Sequence, residues 1–235
     1  MMILITRDVM NASNSNRDEL VARIEERRIS AIIRTADERL ASDAMRAVVA
    51  GGFRIVEFTL TTPNALGLIS EFAKDPDLLV GAGTVLSTQQ ARDAVAAGAG
   101  FLVSPIFDRD VLTAAHELGV PMIPGTFTAT EMHTAHIHGA DFVKLFPAPT
   151  CVRDYVTAIL GPLPMLRIFP TAGVDADNFV EVLEAGAAGV GFVRSLFAPS
   201  DLADRDFAAI ERRASTITSR FAAYAKEECS AAGVN

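Results

Sequence analysis

The chain has 235 residues, 50% of them hydrophobic, a formal net charge of −8 and only two cysteines. That acidic balance, without a basic stripe, argues against a nucleic-acid partner, and no apolar run reaches the ~18 residues of a membrane span. The length allows one or two domains, and a single α/β barrel commonly fills about this length. Cys151 and Cys229 form neither a CxxC pair nor a disulfide framework. The opening apolar run is too short for an export signal, so the expectation is a cytoplasmic protein.

Residues 1–16 read as weakly structured, because 11–16 form a polar, turn-rich cluster. Residues 17–28 are charged and helix-compatible, with Leu20, Val21 and Ile24 as an apolar stripe that suits packing across one end of a domain. Eight candidate strands follow, at 30–34, 54–60, 79–84, 101–104, 121–124, 142–146, 167–171 and 189–192. Helical periodicity fills the intervals at 41–50, 64–73, 87–97, 109–118, 128–138, 152–160 and 175–185, and a long helical stretch at 202–226 ends the chain. Strands begin roughly 20 to 25 residues apart, the length of one strand, one helix and two short loops. The Gly51-Gly52 pair, Gly98, Gly119, Gly139 and Gly186 stand where left-handed residues would close helices. Ser87, Thr128 and Asp175 stand where N-caps belong.

The pattern predicts a single (β/α)8 TIM barrel with an extra N-terminal helix: a segment over 1–28 and a barrel over 29–235 that takes in the C-terminal helix. An open doubly wound sheet is the second choice. His133, His136 and His138 do not share one helical face, so no metal is expected.

Active sites of such barrels lie at the C-terminal ends of the strands. Alternation over 142–146 puts Val143 and Leu145 on the helix-covered face and turns Phe142, Lys144 and Phe146 inward. Over 54–60, Val56, Phe58 and Leu60 face the helices, while Ile55, Glu57 and Thr59 turn inward. An inward ammonium is costly unless paired or neutralised. Burial lowers its pKa and frees the amine to attack a carbonyl. An inward carboxyl beside it either forms a structural salt bridge or shuttles protons. Arg34 would face the interior with Ile32 and suits a carboxylate. Thr171-Ala-Gly173 precedes a helix and Gly189-Val-Gly191 leads into the last loop, both places where backbone amides hold phosphate. Ser195 either adds a hydroxyl to the same anion or caps a helix.

Six ordered stretches carry a family resemblance: 50–60 (AGGFRIVEFTL), 80–86 (VGAGTVL), 101–105 (FLVSP), 123–126 (IPGT), 142–148 (FVKLFPA) and 169–174 (FPTAGV). The chain resembles the 2-keto-3-deoxy-6-phosphogluconate (KDPG) and 4-hydroxy-2-oxoglutarate (KHG) aldolases, with features of the 2-keto-3-deoxy-6-phosphogalactonate branch. The resemblance covers residues 29–199. It implies a trimeric (β/α)8 class I aldolase of Entner–Doudoroff type that needs no cofactor and splits a small-molecule keto acid, a 2-keto-3-deoxy-6-phospho sugar acid, into pyruvate and glyceraldehyde 3-phosphate. It implies Lys144 as the Schiff-base lysine, Glu57 as the general acid/base, and Thr84, Pro105, Phe146 and Thr171 as the lining of the pyruvate end.

Three departures from that pattern bear on the substrate. Thr61 stands where gluconate-type members carry arginine, which leaves the carboxylate to Arg34. The phosphate-loop Gly-Gly is Ala172-Gly173 here. The loop after strand eight runs from Gly191 through Val193, Arg194 and Ser195, so Val193 crowds a bare-backbone phosphate nest while Arg194 adds a charge. A non-phosphorylated 4-hydroxy-2-oxo acid is thus an alternative substrate, and a phosphate-binding isomerase or epimerase an alternative activity.

Overall fold

The computed structural model describes residues 2–231, with side chains over 15–230. Met1 and residues 232–235 of the two expected segments lie outside the described residues. Helix α1 (Met2–Arg27) precedes β1 (Ile29–Ile33), and strands and helices then alternate. They run α2 (Glu38–Ala50), β2 (Ile55–Thr59), α3 (Ala65–Phe72), β3 (Leu79–Gly83), α4 (Thr88–Ala96), β4 (Phe101–Val103) and α5 (Arg109–Glu117). Next come β5 (Met122–Ile123), β6 (Gly125–Thr126), α6 (Ala129–Ile137), β7 (Val143–Leu145), α7 (Val152–Leu160), β8 (Ile168–Pro170), α8 (Phe179–Glu184), β9 (Val190–Phe192), α9 (Pro199–Asp204) and α10 (Phe207–Ala231).

All pairings are parallel. One ladder runs β5-β4-β3-β2-β1-β9 and the other β6-β7-β8. β5 and β6 are two halves of one barrel strand, divided at Pro124, which has no N–H to give. A parallel bridge between Thr171 and Gly191 joins β8 to β9. The eight expected strands therefore close into one barrel.

Two apolar cores follow from strand alternation. Val56, Phe58, Val80, Ala82, Val143 and Leu145 pack outward against the helices. Ile55, Leu79, Phe101, Val103, Ile123, Phe142 and Phe169 fill the lower lumen, with Val21 and Ile24 of α1 beneath them. The apolar stripe of α1 is thus a floor plug. Its opposite faces are fastened by arginines: Arg23 donates to the Leu78 carbonyl at 3.1 Å, Arg27 to that of Asp77 at 2.7 Å, and Arg17 pairs with Asp141 at 3.3 Å.

Gly52, Gly98, Gly119, Gly139 and Gly186 adopt positive φ, from 72° at Gly119 to 104° at Gly98, the conformation that suits glycine at a helix end, whereas Gly51 stays at φ −72°. Ser87 and Thr128 cap α4 and α6 as expected, Thr128 in a capping box with Glu131. Three expectations need correcting. The polar run 11–16 is helical within α1; residues 2–27 contain no glycine or proline, and scattered Asn and Ser cost only a few tenths of a kcal/mol each in a helix. Asp175 does not cap α8. It accepts the N–H groups of Asp177 and Asn178 at 2.8 and 3.0 Å in a preceding turn, which delays the helix to Phe179. The C-terminal stretch is two helices, because Arg205 turns left-handed (φ 53°) and the Asp206 carboxylate accepts the Ala209 N–H at 2.9 Å, starting α10 afresh.

Ile24 is 1% exposed, so its truncation leaves a cavity under the lumen. Ile24→Ala is expected to lower unfolding stability by about 2–4 kcal/mol in urea titration.

Candidate active site

Lys144 and Glu57 reach the same lumen from β7 and β2, above the apolar floor. Both are buried, at 7% and 2% exposure. Their positions follow from alternation: Val143 and Leu145 are fixed outward by the helices, so Lys144 has no other side to occupy. Its ammonium lies over the Phe146 ring, 5.0 Å from the centroid, a favourable cation–π contact. Burial pulls the Lys144 pKa below the ordinary value of 10.5; Glu57 opposes this and Arg34 adds to it. Burial pushes the Glu57 carboxyl above its ordinary value of 4.5, against the pull of Lys144 and then of Arg34. The amine is thus readier to lose its proton, and the carboxyl readier to hold one, than either would be in water. These are the states a nucleophile and a general acid/base require.

The Glu57 carboxyl has room only because β3 supplies none of its own side chain there. A Cβ built on Gly83 would lie 1.9 Å from Glu57 Oε1, and one on Gly81 would strike the Phe101 ring at 2.2 Å. Sequence reading placed Gly83 at a strand end without seeing this requirement.

Above the pair opens a cavity of about 840 Å³. Its walls include Arg34, Glu57, Lys144, Phe146, Thr171, Gly173, Arg194 and Ser195 among the expected site residues. Gly191 is in the barrel wall, where a Cβ would meet Ile32 Cδ1 at 2.7 Å and Thr171 Oγ1 at 3.0 Å. Thr84 and Pro105 do not line the cavity. Thr84, left-handed at φ 63°, reaches the site by accepting a hydrogen bond from Arg34 at 3.4 Å. The Pro105 carbonyl instead lies against Gly125. The Ser195 hydroxyl donates to the Val174 carbonyl at 2.6 Å, which ties the last loop to the loop after β8. Ala172 and Gly173 are both left-handed, at φ 72° and 67°. For alanine that conformation costs on the order of 1 kcal/mol, strain of the kind stored at functional sites.

One wall escaped the sequence reading. Leu40, Phe197, Pro199 and Leu202 give the cavity an apolar side between α2 and α9. Only the Pro199-Ser-Asp helix start after β9 hinted that a short helix would stand there.

A lysine whose burial eases loss of its proton, inside a closed barrel with a carboxyl in the same lumen, is equipped to form an imine with a ketone and to break the bond β to it. This makes the fold and site those of a Schiff-base lyase. The family model described as KDPG and KHG aldolase matches residues 20–213, and the chain belongs to that family, a group of aldehyde-lyases. It is 36% identical over 149 residues to a 2-dehydro-3-deoxy-phosphogluconate aldolase of Pseudoalteromonas atlantica, covering 63% of this chain and 69% of that one. It is 33% identical over 174 residues to a 2-dehydro-3-deoxy-6-phosphogalactonate aldolase of Escherichia coli, covering 73% and 84%. A solved KDPG aldolase from Legionella pneumophila, with pyruvate captured as a covalent carbinolamine, superposes with a TM-score of 0.74 at 28% identity over 84% of this chain and 97% of that one.

Gly83→Ala would push the Glu57 carboxyl aside while leaving the backbone in place, since the atom it meets ends a side chain. The expected result is a fall in kcat of about 100-fold, the scale of a 1 Å misplacement, with thermal melting shifted by only a few degrees.

Proposed function

We propose that Lys144 is the Schiff-base nucleophile and Glu57 the general acid/base in the cleavage of a 2-keto-3-deoxy-6-phospho sugar acid to pyruvate and glyceraldehyde 3-phosphate. The observation that carries this reading is the burial of both groups in one lumen, with pKa values displaced toward each other. The Lys144 amine attacks the C2 ketone, and the carbinolamine loses water to give a protonated imine. Glu57 accepts the C4 hydroxyl proton, the C3–C4 electron pair moves into the imine as an enamine, and the aldehyde leaves. Glu57 returns the proton to C3, and water hydrolyses the imine to pyruvate and free amine. No metal or organic cofactor takes part in these steps.

Arg34, steadied by Thr84, is placed to hold the substrate carboxylate, while Phe146 and Thr171 border the reacting carbons. At the far end, the turn at Ala172 and Gly173 and the exposed Arg194 border the space for the phosphate. Among the described residues Arg194 forms no ion pair, so its charge is available to an anion. That guanidinium also favours a second reading, in which the distal anion is the carboxylate of a 4-hydroxy-2-oxo acid. The trimeric state and the cytoplasmic setting go with the family reading. Among the described residues no helix is long and apolar enough to cross a membrane.

Pyruvate with borohydride should add a reduced pyruvyl mass at Lys144; a label at another lysine, or none, would end the assignment. The trapping rate should reach half its maximum on the acid side of 10.5, because the Lys144 pKa lies below that value. Lys144→Arg should abolish turnover, and Glu57→Gln should lower kcat by at least ~100-fold with trapping retained; an active Lys144→Arg would favour an isomerase or epimerase instead. In parallel assays of phosphogluconate-, phosphogalactonate- and hydroxy-oxoglutarate-type substrates, Arg194→Ala should raise KM for the phosphorylated substrates about tenfold and leave kcat nearly unchanged. A KM rise confined to hydroxy-oxoglutarate would establish the second reading.

A further inference from the structure

Beneath the carboxyl of Glu57, on the side away from the open cavity, the lumen encloses a second, much smaller space of about 10 Å³. Most of its wall is apolar: Ile24, Ile32, Ile55, Phe101, Val103, Ile123 and Phe169. Three polar side chains break that wall, those of Ser30, Glu57 and Thr171. Ser30 is 2% exposed, and its hydroxyl has no hydrogen-bond partner in the protein. It belongs to the inner face of β1, where register sets Ser30 beside Ile55 and Ile32 beside Glu57, so the hydroxyl stands one level below the carboxyl.

A buried hydroxyl without a partner costs roughly 1–3 kcal/mol. A space that admits one water, with two to four polar groups around it, is the setting in which buried water is retained. The dimensions and the orphaned hydroxyl coincide. We propose that Ser30 is a positioning residue for Glu57, acting through a single water held in the floor space between them. Resting on the assignment of Glu57 as the general acid/base, this gives the carboxyl a fixed neighbour on the face opposite the substrate. The Ser30 hydroxyl orients the water, and the water donates to the carboxylate. A donor favours the ionised carboxylate and offsets part of the burial that works against it. The other charged groups that act on Glu57 are Lys144 from β7 and Arg34 from the end of β1. β3 faces it with Gly83; the walls of the floor space from β4, β5 and α1 are apolar, and β8 adds Phe169 and the uncharged hydroxyl of Thr171.

The test is Ser30→Ala in the full-length protein. Titration of the Glu57 carboxyl, followed by difference infrared spectroscopy with Glu57→Gln as the blank, should move upward by about half to one pH unit. The acid limb of the kcat profile should move with it, while KM and the melting temperature stay near their original values. Ser30→Cys, which keeps a weak donor, should fall between, and it carries the test if the alanine variant does not fold. A carboxyl that titrates at the same pH in the variant and the unaltered protein would overturn the proposal. Borohydride trapping separates the two assignments: no adduct at Lys144 in the unaltered protein removes the Schiff-base reading, whereas normal trapping with an unmoved carboxyl titration removes the Ser30 role alone.

Discussion

The structure depends on holding one ammonium and one carboxyl inside the same low-dielectric space. Either charge buried alone would cost several kcal/mol. Together they offset part of that cost, and each favours the charged form of the other. The surrounding side chains set how far the balance tips. Phe146 offers its ring face to the ammonium. Arg34 favours the ionised carboxyl and opposes a second positive charge on Lys144. Burial thus eases proton loss from Lys144 and proton uptake by Glu57, the directions that the proposed roles of nucleophile and general acid/base call for.

The barrel divides its interior to make this possible. The lower lumen is a conventional packed core, sealed by the aliphatic stripe of α1. The upper lumen is left open by what the strands omit. β3 contributes glycine twice on its inner face, once so that the Phe101 ring can fill the middle of the floor and once so that the Glu57 carboxyl can rest against bare backbone. The same strand therefore completes the core and clears the site, by withholding side chains at two levels two residues apart.

Much of this was legible in the sequence. Strand alternation alone assigned Lys144 and Glu57 to the inner face, because the apolar residues on either side of each have nowhere to go but under the helices. Cap glycines and N-cap residues marked several helix ends for the same local reasons. What escaped was set by tertiary packing. The break at Arg205 rests on one left-handed residue in a stretch with unbroken helical periodicity. The commitment of the Ser195 hydroxyl to the Val174 carbonyl requires two loops to meet that are 21 residues apart. Ser30 shares the inner face with Ile32 and Arg34 by alternation, but nothing local shows that a small closed space lies against it.

The plug at the bottom of the barrel has a kinetic consequence. With that end stoppered by α1, the cavity lies on the other side of the apolar floor, and Lys144 is part of its wall. In the proposed reaction the three-carbon fragment stays tethered to that wall while the untethered fragment lies between it and the exit. If Lys144 holds pyruvate covalently as proposed, the aldehyde departs before pyruvate, and in the condensing direction the keto acid is bound first.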